Sequence, residues 1–378
     1  MKKLSKPLVK FLLLALLVRV FLQLVAAVAI ARLPFLPTYP HWDITLINKG
    51  PEWLWLWGGF DGVHYLNIAE KGYEYGLTQA FFPLYPLMIR FLTAIINNPL
   101  WSALIISHLS FIGFAYFFIK LGRLDFKLKQ ISMSWLWLLI FPTSFFFFGA
   151  YTESLFLLLA AATLYNARKR QFWLAAMLAG LASGSRIIGI FLLPAVLWEY
   201  YQVNPKPKLK NIIGLAMLGA SGLVSYLTYL QLRFHDWLIF VHAQPGFGAG
   251  RQVDQVVMIY QVVARYGKMF LTVSTSNDIY GVLMFEFASS ILVLGLLVYG
   301  WWKKWIRMSY LIYMLPAYFL PTITGSFASM PRYILSLFPL FYLLPKFKLG
   351  KYQQVIMVIL VALMTWAFVR FSRGYWVS

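Results

Sequence analysis

Long apolar runs separated by short basic clusters dominate this chain and leave few folds open to it. The runs lie at 11–33, 100–119, 131–149, 151–166, 172–184, 186–201, 211–231, 281–301, 306–321, 331–345 and 352–370. A helix needs about 20 apolar residues to span a bilayer, somewhat fewer where the bilayer is thin. Apolar and aromatic residues make up 61% of the 378, and charged residues only 12%. That is about half the charged share of a soluble domain, too little to clothe a water-facing surface. The expected fold is all-α: a polytopic membrane protein with about 11 transmembrane helices. With no cysteine in the chain, thiol catalysis, Cys-ligated zinc, iron–sulfur clusters and disulfide scaffolds are excluded.

The net charge of +21 would suit nucleic-acid binding in a soluble protein, but here it sorts by side of the membrane. Six short stretches hold 20 of the 33 Lys and Arg residues: 2–10, 120–129, 168–170, 206–210, 303–307 and 346–351. Asp125 is the one acid among them, and Glu199 lies just outside the fourth. Basic loops mark the cytoplasmic side, so the N-terminus is expected inside and no nucleic-acid partner is implied. The remaining ten acids, including Asp43, Asp61, Glu153, Asp236 and Glu286, fall on the opposite, non-cytoplasmic face.

This sorting decides the reading of 81–97, which also looks like a span. A crossing there would put the basic stretch 120–129 outside, and the run carries Pro83, Pro86 and Arg90. It reads as an interfacial helix on the outer leaflet, with a twelfth span as the alternative. Residues 172–201 must cross out and back, turning near Gly180, Ser183, Gly184 and Ser185. Ala27-Val28-Ala29 resembles a signal-peptidase site, but the apolar stretch is longer than a signal's core and reads as an uncleaved anchor. The whole chain, 1–378, reads as a single membrane domain with two long outer loops, 34–99 and 232–280. The first loop carries Trp42, Trp53, Trp55 and Trp57 and the second Trp237, as suits helices at the lipid headgroups. No glycine motif for nucleotide phosphates follows a strand pattern, so no cofactor is expected.

The densest polar stretch is Phe60-Asp61-Gly62-Val63-His64-Tyr65-Leu66-Asn67, continuing through Glu70 to Gly72. On a helix, Asp61, His64 and Tyr65 share one face at spacings of three and four. Asp61 also stands where an N-cap belongs, and Gly72 where a helix closes. Asp61 is thus either a capping residue or a general base at the membrane surface. An inverting glycosyl transfer needs such a base to take the proton of an attacking hydroxyl. Asp43 is the competing base. Asp61 and His64 as metal ligands are too few for a site, and no metal is expected.

Arg186, at the outer turn, and Arg332, in Ser329-Met330-Pro331-Arg332-Tyr333, form a second constellation. Arginine within a span is costly and faces a polar cavity or an anion, unless it snorkels to the interface. A guanidinium there suits a lipid phosphate, which it binds by paired hydrogen bonds. Arg19 and Arg32 read as snorkelling residues. His242, Gln244 and Arg251 supply further polar groups on the outer side. Glu153 opens a span after Gly149, as either a dipole-favoured helix start or a cavity residue. Phe145 to Phe148 and the tryptophans read as lipid-facing or core aromatics, with stacking of a tryptophan on a sugar as a further option.

These motifs resemble the PIG-V mannosyltransferases. The resemblance rests on Phe60 to Leu66, Ala69 to Tyr73 and Ala80 to Leu87, which look like that family's first luminal loop. It continues in order through Phe141-Pro142-Thr143, Tyr151 to Phe156, the turn at Arg186, Phe240 to Gln244 and Met330 to Tyr333. Phe60 stands where the family often has tryptophan. The family adds the second mannose in glycosylphosphatidylinositol (GPI) anchor assembly and has prokaryotic relatives, for which that acceptor does not carry over. The resemblance implies the C-type glycosyltransferase superfamily (GT-C), with a loop-borne acidic base, a lipid-phosphate sugar donor and an amphipathic helix after the catalytic loop.

The expected reaction is transfer of mannose, or a similar hexose, from a polyprenyl-phosphate donor to a lipid or glycan acceptor on the periplasmic, extracellular or luminal face. Asp61 would be the base, Arg186 and Arg332 the donor-phosphate ligands, and His64 would orient Asp61 or touch the sugar. Tyr65, Glu153, His242, Gln244 and Arg251 are candidate sugar or acceptor ligands. A lipid or sugar transporter or flippase is the main rival, although such proteins are expected to show two matching halves with broken helices. A polymerase or ligase of lipid-linked glycans would use similar arginines with a diphosphate donor. A non-enzymatic assembly subunit would need none of this chemistry.

Overall fold

The structure, a computed structural model, describes residues 2–74 and 77–377, and of residues 2–5 the backbone alone. Among the described residues every regular element is helical. The longer helices are α1 (Lys2–Arg32), α2 (Asp61–Lys71), α3 (Leu84–Ile96), α4 (Pro99–Gly122), α5 (Leu128–Leu139), α6 (Glu153–Arg168) and α7 (Phe172–Ser185). They continue with α8 (Leu192–Val203), α9 (Leu209–Phe234), α10 (Ile259–Thr272), α11 (Ile279–Trp302), α12 (Met308–Thr322) and α13 (Tyr352–Ser372). The side chains of Lys2 and Lys3, part of the first basic cluster, lie outside the described residues.

Five of these helices are long and apolar enough to cross a bilayer by themselves: α1 from Lys6, α4, α9, α11 and α13. The other expected spans are shorter or broken, and the sequence explains where. The run 131–149 is α5 followed by the 3-10 turn Ser144–Phe148, because Pro142 cannot continue a helix. The run 331–345 is one α-turn, Met330–Tyr333, then a 3-10 stretch, Ile334–Lys346, kinked at Leu337 and carrying Pro339 and Pro345. Residues 172–201 form α7 and α8, with Arg186 extended between them and a 3-10 turn at Ile187–Phe191. Helix α3 has 13 residues, about 20 Å of helix against a hydrocarbon core of about 30 Å. Leu87, Phe91 and Ile95 make one exposed apolar stripe along it, while Tyr85 and Ile89 are buried against the rest.

Packing runs α4 against α6, α6 against α7 and α7 against α9, with α1 against α13 closing one side. The α7–α9 crossing is so close that side chains are excluded. A Cβ on Gly222 would lie 2.1 Å from the Gly180 carbonyl oxygen, and one on Gly180 would lie 2.3 Å from that of Leu218. Small residues spaced by four allow this backbone contact where lipid offers no hydrophobic drive for association. Gly222→Ala is therefore expected to cost about 1–3 kcal/mol through overpacking. Thermal unfolding in detergent measures it, and an unchanged midpoint would mean that the helices do not approach this closely.

Helix α4 begins sharply because Asn98 accepts hydrogen bonds from the Leu100 and Trp101 amides, with Pro99 at the first helical position. Aromatics that composition alone leaves ambiguous fall in the core. Trp57 and Phe145 to Phe148 are almost wholly buried, whereas Trp53 and Trp237 are exposed.

Candidate active site

Two backbone segments are stitched together just before α2 and α6 begin. The Ala150 amide donates to the Trp57 carbonyl at 2.8 Å, and the Tyr151 hydroxyl donates to the Gly59 carbonyl at 2.7 Å. This brings the first residue of α2, Asp61, beside the first residue of α6, Glu153. The cap of α2 is Phe60, at φ +53°, and Asp61 is already helical; the expected capping position is therefore off by one. A bulky residue at positive φ costs about 1–3 kcal/mol unless its surroundings impose it. Here Tyr39, Phe371 and Trp376 surround the Phe60 ring at centroid distances of 4.3, 5.6 and 6.1 Å. The helix ends as expected, at Gly72 with φ +88°.

Two arginines complete the site from elsewhere in the chain. Arg186 leaves the end of α7 in extended conformation. Arg332 sits in the turn Met330–Tyr333, whose Pro331 carbonyl accepts from Thr143 Oγ1 at 2.7 Å. The four charged groups alternate in a chain: Asp61 Oδ2 to Arg332 Nη1 at 2.5 Å, Arg332 Nε to Glu153 Oε1 at 3.3 Å, and Glu153 Oε1 to Arg186 Nη1 at 2.6 Å. The Tyr333 ring lies 5.4 Å from both guanidinium carbons. Glu153 is sealed at 2% side-chain exposure while Asp61 keeps 21%, so the site opens at Asp61.

Two carboxylates and two guanidiniums sum to zero charge, which is how four ionised groups tolerate burial together. Glu153 Oε2 is buried without a hydrogen-bond partner, so the carboxylate depends on the arginines for compensation. Among the described residues no group of three or more His, Asp and Glu side chains is arranged to hold a metal ion. Arg332 lies between these two carboxylates.

The remaining candidates fall at different distances from this chain. The Tyr65 hydroxyl lies 3.3 Å from Thr152 Oγ1, and both nearby carboxylates and the burial of the ring favour its neutral form. His64 stacks on Phe81 at 4.7 Å. Burial lowers its pKa, against the opposing pull of Asp61 and with a smaller contribution from His41 in the same direction as burial. Arg251 reaches toward Gln244 at 3.4 Å and is near enough to Tyr333 and Glu286 to act on both electrostatically. His242 is exposed and pairs with Asp236 at 2.7 Å, outside the four-charge chain. Asp43 is exposed on the short helix Trp42–Thr45 and takes no part in the ion pairs of the described residues. Arg19 donates to Gln23 Oε1 at 2.7 Å and lies 3.9 Å over the Trp57 ring.

An integral membrane helical fold with a carboxylate–arginine chain buried at one end defines the class of protein. The chain belongs to the PIG-V mannosyltransferase family, whose sequence profile matches residues 5–233. It is similar to a protein named GPI mannosyltransferase 2 from Drosophila pseudoobscura pseudoobscura, 30% identical over 195 residues that cover 45% of this chain and 43% of the relative. The protein of that name from Drosophila melanogaster is 33% identical over 108 residues, 26% of this chain and 24% of the relative. The matched stretches thus span less than half the length of these curated relatives. No solved structure matches the chain.

Proposed function

We propose that the protein transfers mannose from a polyprenyl-phosphate-linked donor to a lipid or glycan acceptor at the non-cytoplasmic face of the membrane. The observation that carries this reading is the Asp61–Arg332–Glu153–Arg186 chain, in a member of a mannosyltransferase family. Its components match the needs of an inverting transfer. The acceptor oxygen attacks the anomeric carbon as the bond from that carbon to the phosphate oxygen breaks. The acceptor proton passes to Asp61, whose Arg332 bond uses Oδ2 and leaves Oδ1 to receive it. The leaving polyprenyl phosphate gains negative charge, which Arg332 and Arg186 stabilise as donors already in place. In this scheme Asp61 supplies the base without a metal. His64 orients the sugar or Asp61, while Tyr65, Gln244 and Arg251 contact sugar or acceptor.

The arginines, rather than the isoprenoid tail alone, should recognise the donor. Polyprenyl phosphate is expected to raise the unfolding temperature of the purified protein more than polyprenol does. Arg186→Gln should remove that difference. Equal stabilisation by the two lipids would remove the phosphate from the proposal. The proposed orientation, with about 11 crossings, basic loops inside and the site outside, is open to thiol labelling because the native chain has no cysteine. Ser276→Cys should react with an impermeant maleimide from outside and Lys206→Cys only after permeabilisation; the reverse pattern would invert the topology.

A further inference from the structure

At the end of the bundle away from the four-charge chain, a groove of about 600 Å³ opens between α4, α6 and α7. Helix α6 begins at Glu153 in the active site, and its far half lines the groove from Leu158 to Lys169, so the two places are separated along one helix. The groove has two chemically different ends. Leu158, Leu174 and Leu178 make an apolar wall, while Lys120 and Lys169 stand at the mouth beside Asn166 and Gln171. We propose that this groove binds an anionic phospholipid, with one acyl chain along the apolar wall and the head-group phosphate at Lys120 and Lys169.

Charge complementarity selects this occupant. No acid lines the groove, and neither lysine forms an ion pair among the described residues. Arg168 pairs with Asp125 and donates to Tyr310, and Arg307 pairs with Glu199 at 2.6 Å, so these two do not compete for the head group. Lys120 is held in place, its Nζ 4.4 Å from the Tyr116 ring centre and 5.2 Å from that of Tyr165. Such contacts with ring faces orient the ammonium without neutralising it. Arg170 lines an adjoining groove that shares Gln171 and Leu174, adding positive potential beside the mouth. Soluble anions would find the cations but leave the leucine wall uncovered, and neutral lipids would do the reverse. A basic pocket between membrane helices with an apolar floor suits an anionic lipid on both counts.

The test uses the full chain in nanodiscs of equal phosphatidylglycerol and phosphatidylcholine, released for native mass spectrometry. Two lysines, each contributing about fivefold near an anionic head group, predict that wild type retains phosphatidylglycerol over phosphatidylcholine by roughly 25-fold. Lys120→Gln with Lys169→Gln should bring the ratio close to one. Lys206→Gln with Lys208→Gln, the same charge loss away from the groove, should leave the preference intact. A groove variant with the wild-type ratio, a control that loses as much, or a wild type without preference would overturn the proposal. If the groove variant does not fold, Leu174→Trp narrows the groove at constant charge. It should lower the amount of retained phosphatidylglycerol, and unchanged retention would likewise overturn the site.

Discussion

Replacing Asp61 with asparagine is expected to slow mannosyl transfer by about 10²–10⁴-fold, the usual contribution of a positioned general base. Asparagine keeps the size of the side chain and an oxygen that can accept from Arg332, so the turn at Phe60 and the start of α2 should survive. The loss should therefore appear in kcat with polyprenyl phosphate still bound, and the fall in unfolding temperature should be smaller than for Arg332→Gln, because Asp61 keeps 21% side-chain exposure and touches one arginine only. Asp61→Glu should recover part of the rate, because it restores a carboxylate in a shifted position. Transfer by Asp61→Asn at the wild-type rate would remove the base from Asp61, and Asp43 would then be the next residue to replace. A collapse of the unfolding temperature together with the rate would point instead to a structural role.

Arg332→Gln is expected to have the second largest effect, on stability and activity together. Arg332 touches both carboxylates, bonding Asp61 at 2.5 Å and approaching Glu153 at 3.3 Å. Its removal leaves Glu153, at 2% side-chain exposure, with Arg186 alone and leaves Asp61 without its ion pair. Breaking a buried ion pair from one side costs about 3–5 kcal/mol. Loss of one donor to the departing phosphate should slow the reaction by a further 10²–10³-fold or so. Arg332→Lys separates the two effects: it keeps the charge but lacks the planar fork that serves two carboxylates at once. It should recover more stability than activity. Equal recovery of both would mean that Arg332 acts only by holding the fold.

Much of this site was legible because charge is rare in an apolar chain and conspicuous where it occurs. Asp61, Glu153, Arg186 and Arg332 each interrupt or border an apolar run. What the sequence could not supply was their partnership. Asp61 and Arg332 are 271 positions apart, and nothing local in either segment names the other. Glu153 had two equal readings for the same reason; only its position between two arginines makes it the centre of the chain. Of the Arg19 partners, Gln23 is four residues on along α1 and readable locally, whereas Trp57 arrives only when α1 packs against the first outer loop.

The fold was legible to a similar depth. Apolar runs and basic clusters located the helical segments, and Gly72 ended a helix where the sequence indicated, whereas Gly180 to Ser185, expected at the outer turn, are helical and the chain turns only at Arg186. Helix geometry inside the runs was less accessible. Pro142, Pro339 and Pro345 were visible, but whether a proline kinks a span or divides it depends on what covers the freed carbonyls. The sequence points to Asp61 as the cap, since the positive φ that makes Phe60 the cap is imposed by three rings distant in sequence. His242 and Gln244 matched the family pattern as one stretch, yet the structure divides them: His242 pairs with Asp236, and Gln244 faces Arg251.

The central claim is that this chain of charges moves mannose from a lipid phosphate. The most direct measurement places purified wild-type protein in liposomes containing a lipid extract from the source cells. It then compares labelled polyprenyl-phosphate mannose with labelled GDP-mannose as sole donor. Label is expected to reach an acceptor lipid or glycan from the polyprenyl donor alone. Transfer from GDP-mannose, or none from the polyprenyl donor while the protein remains folded, would contradict it.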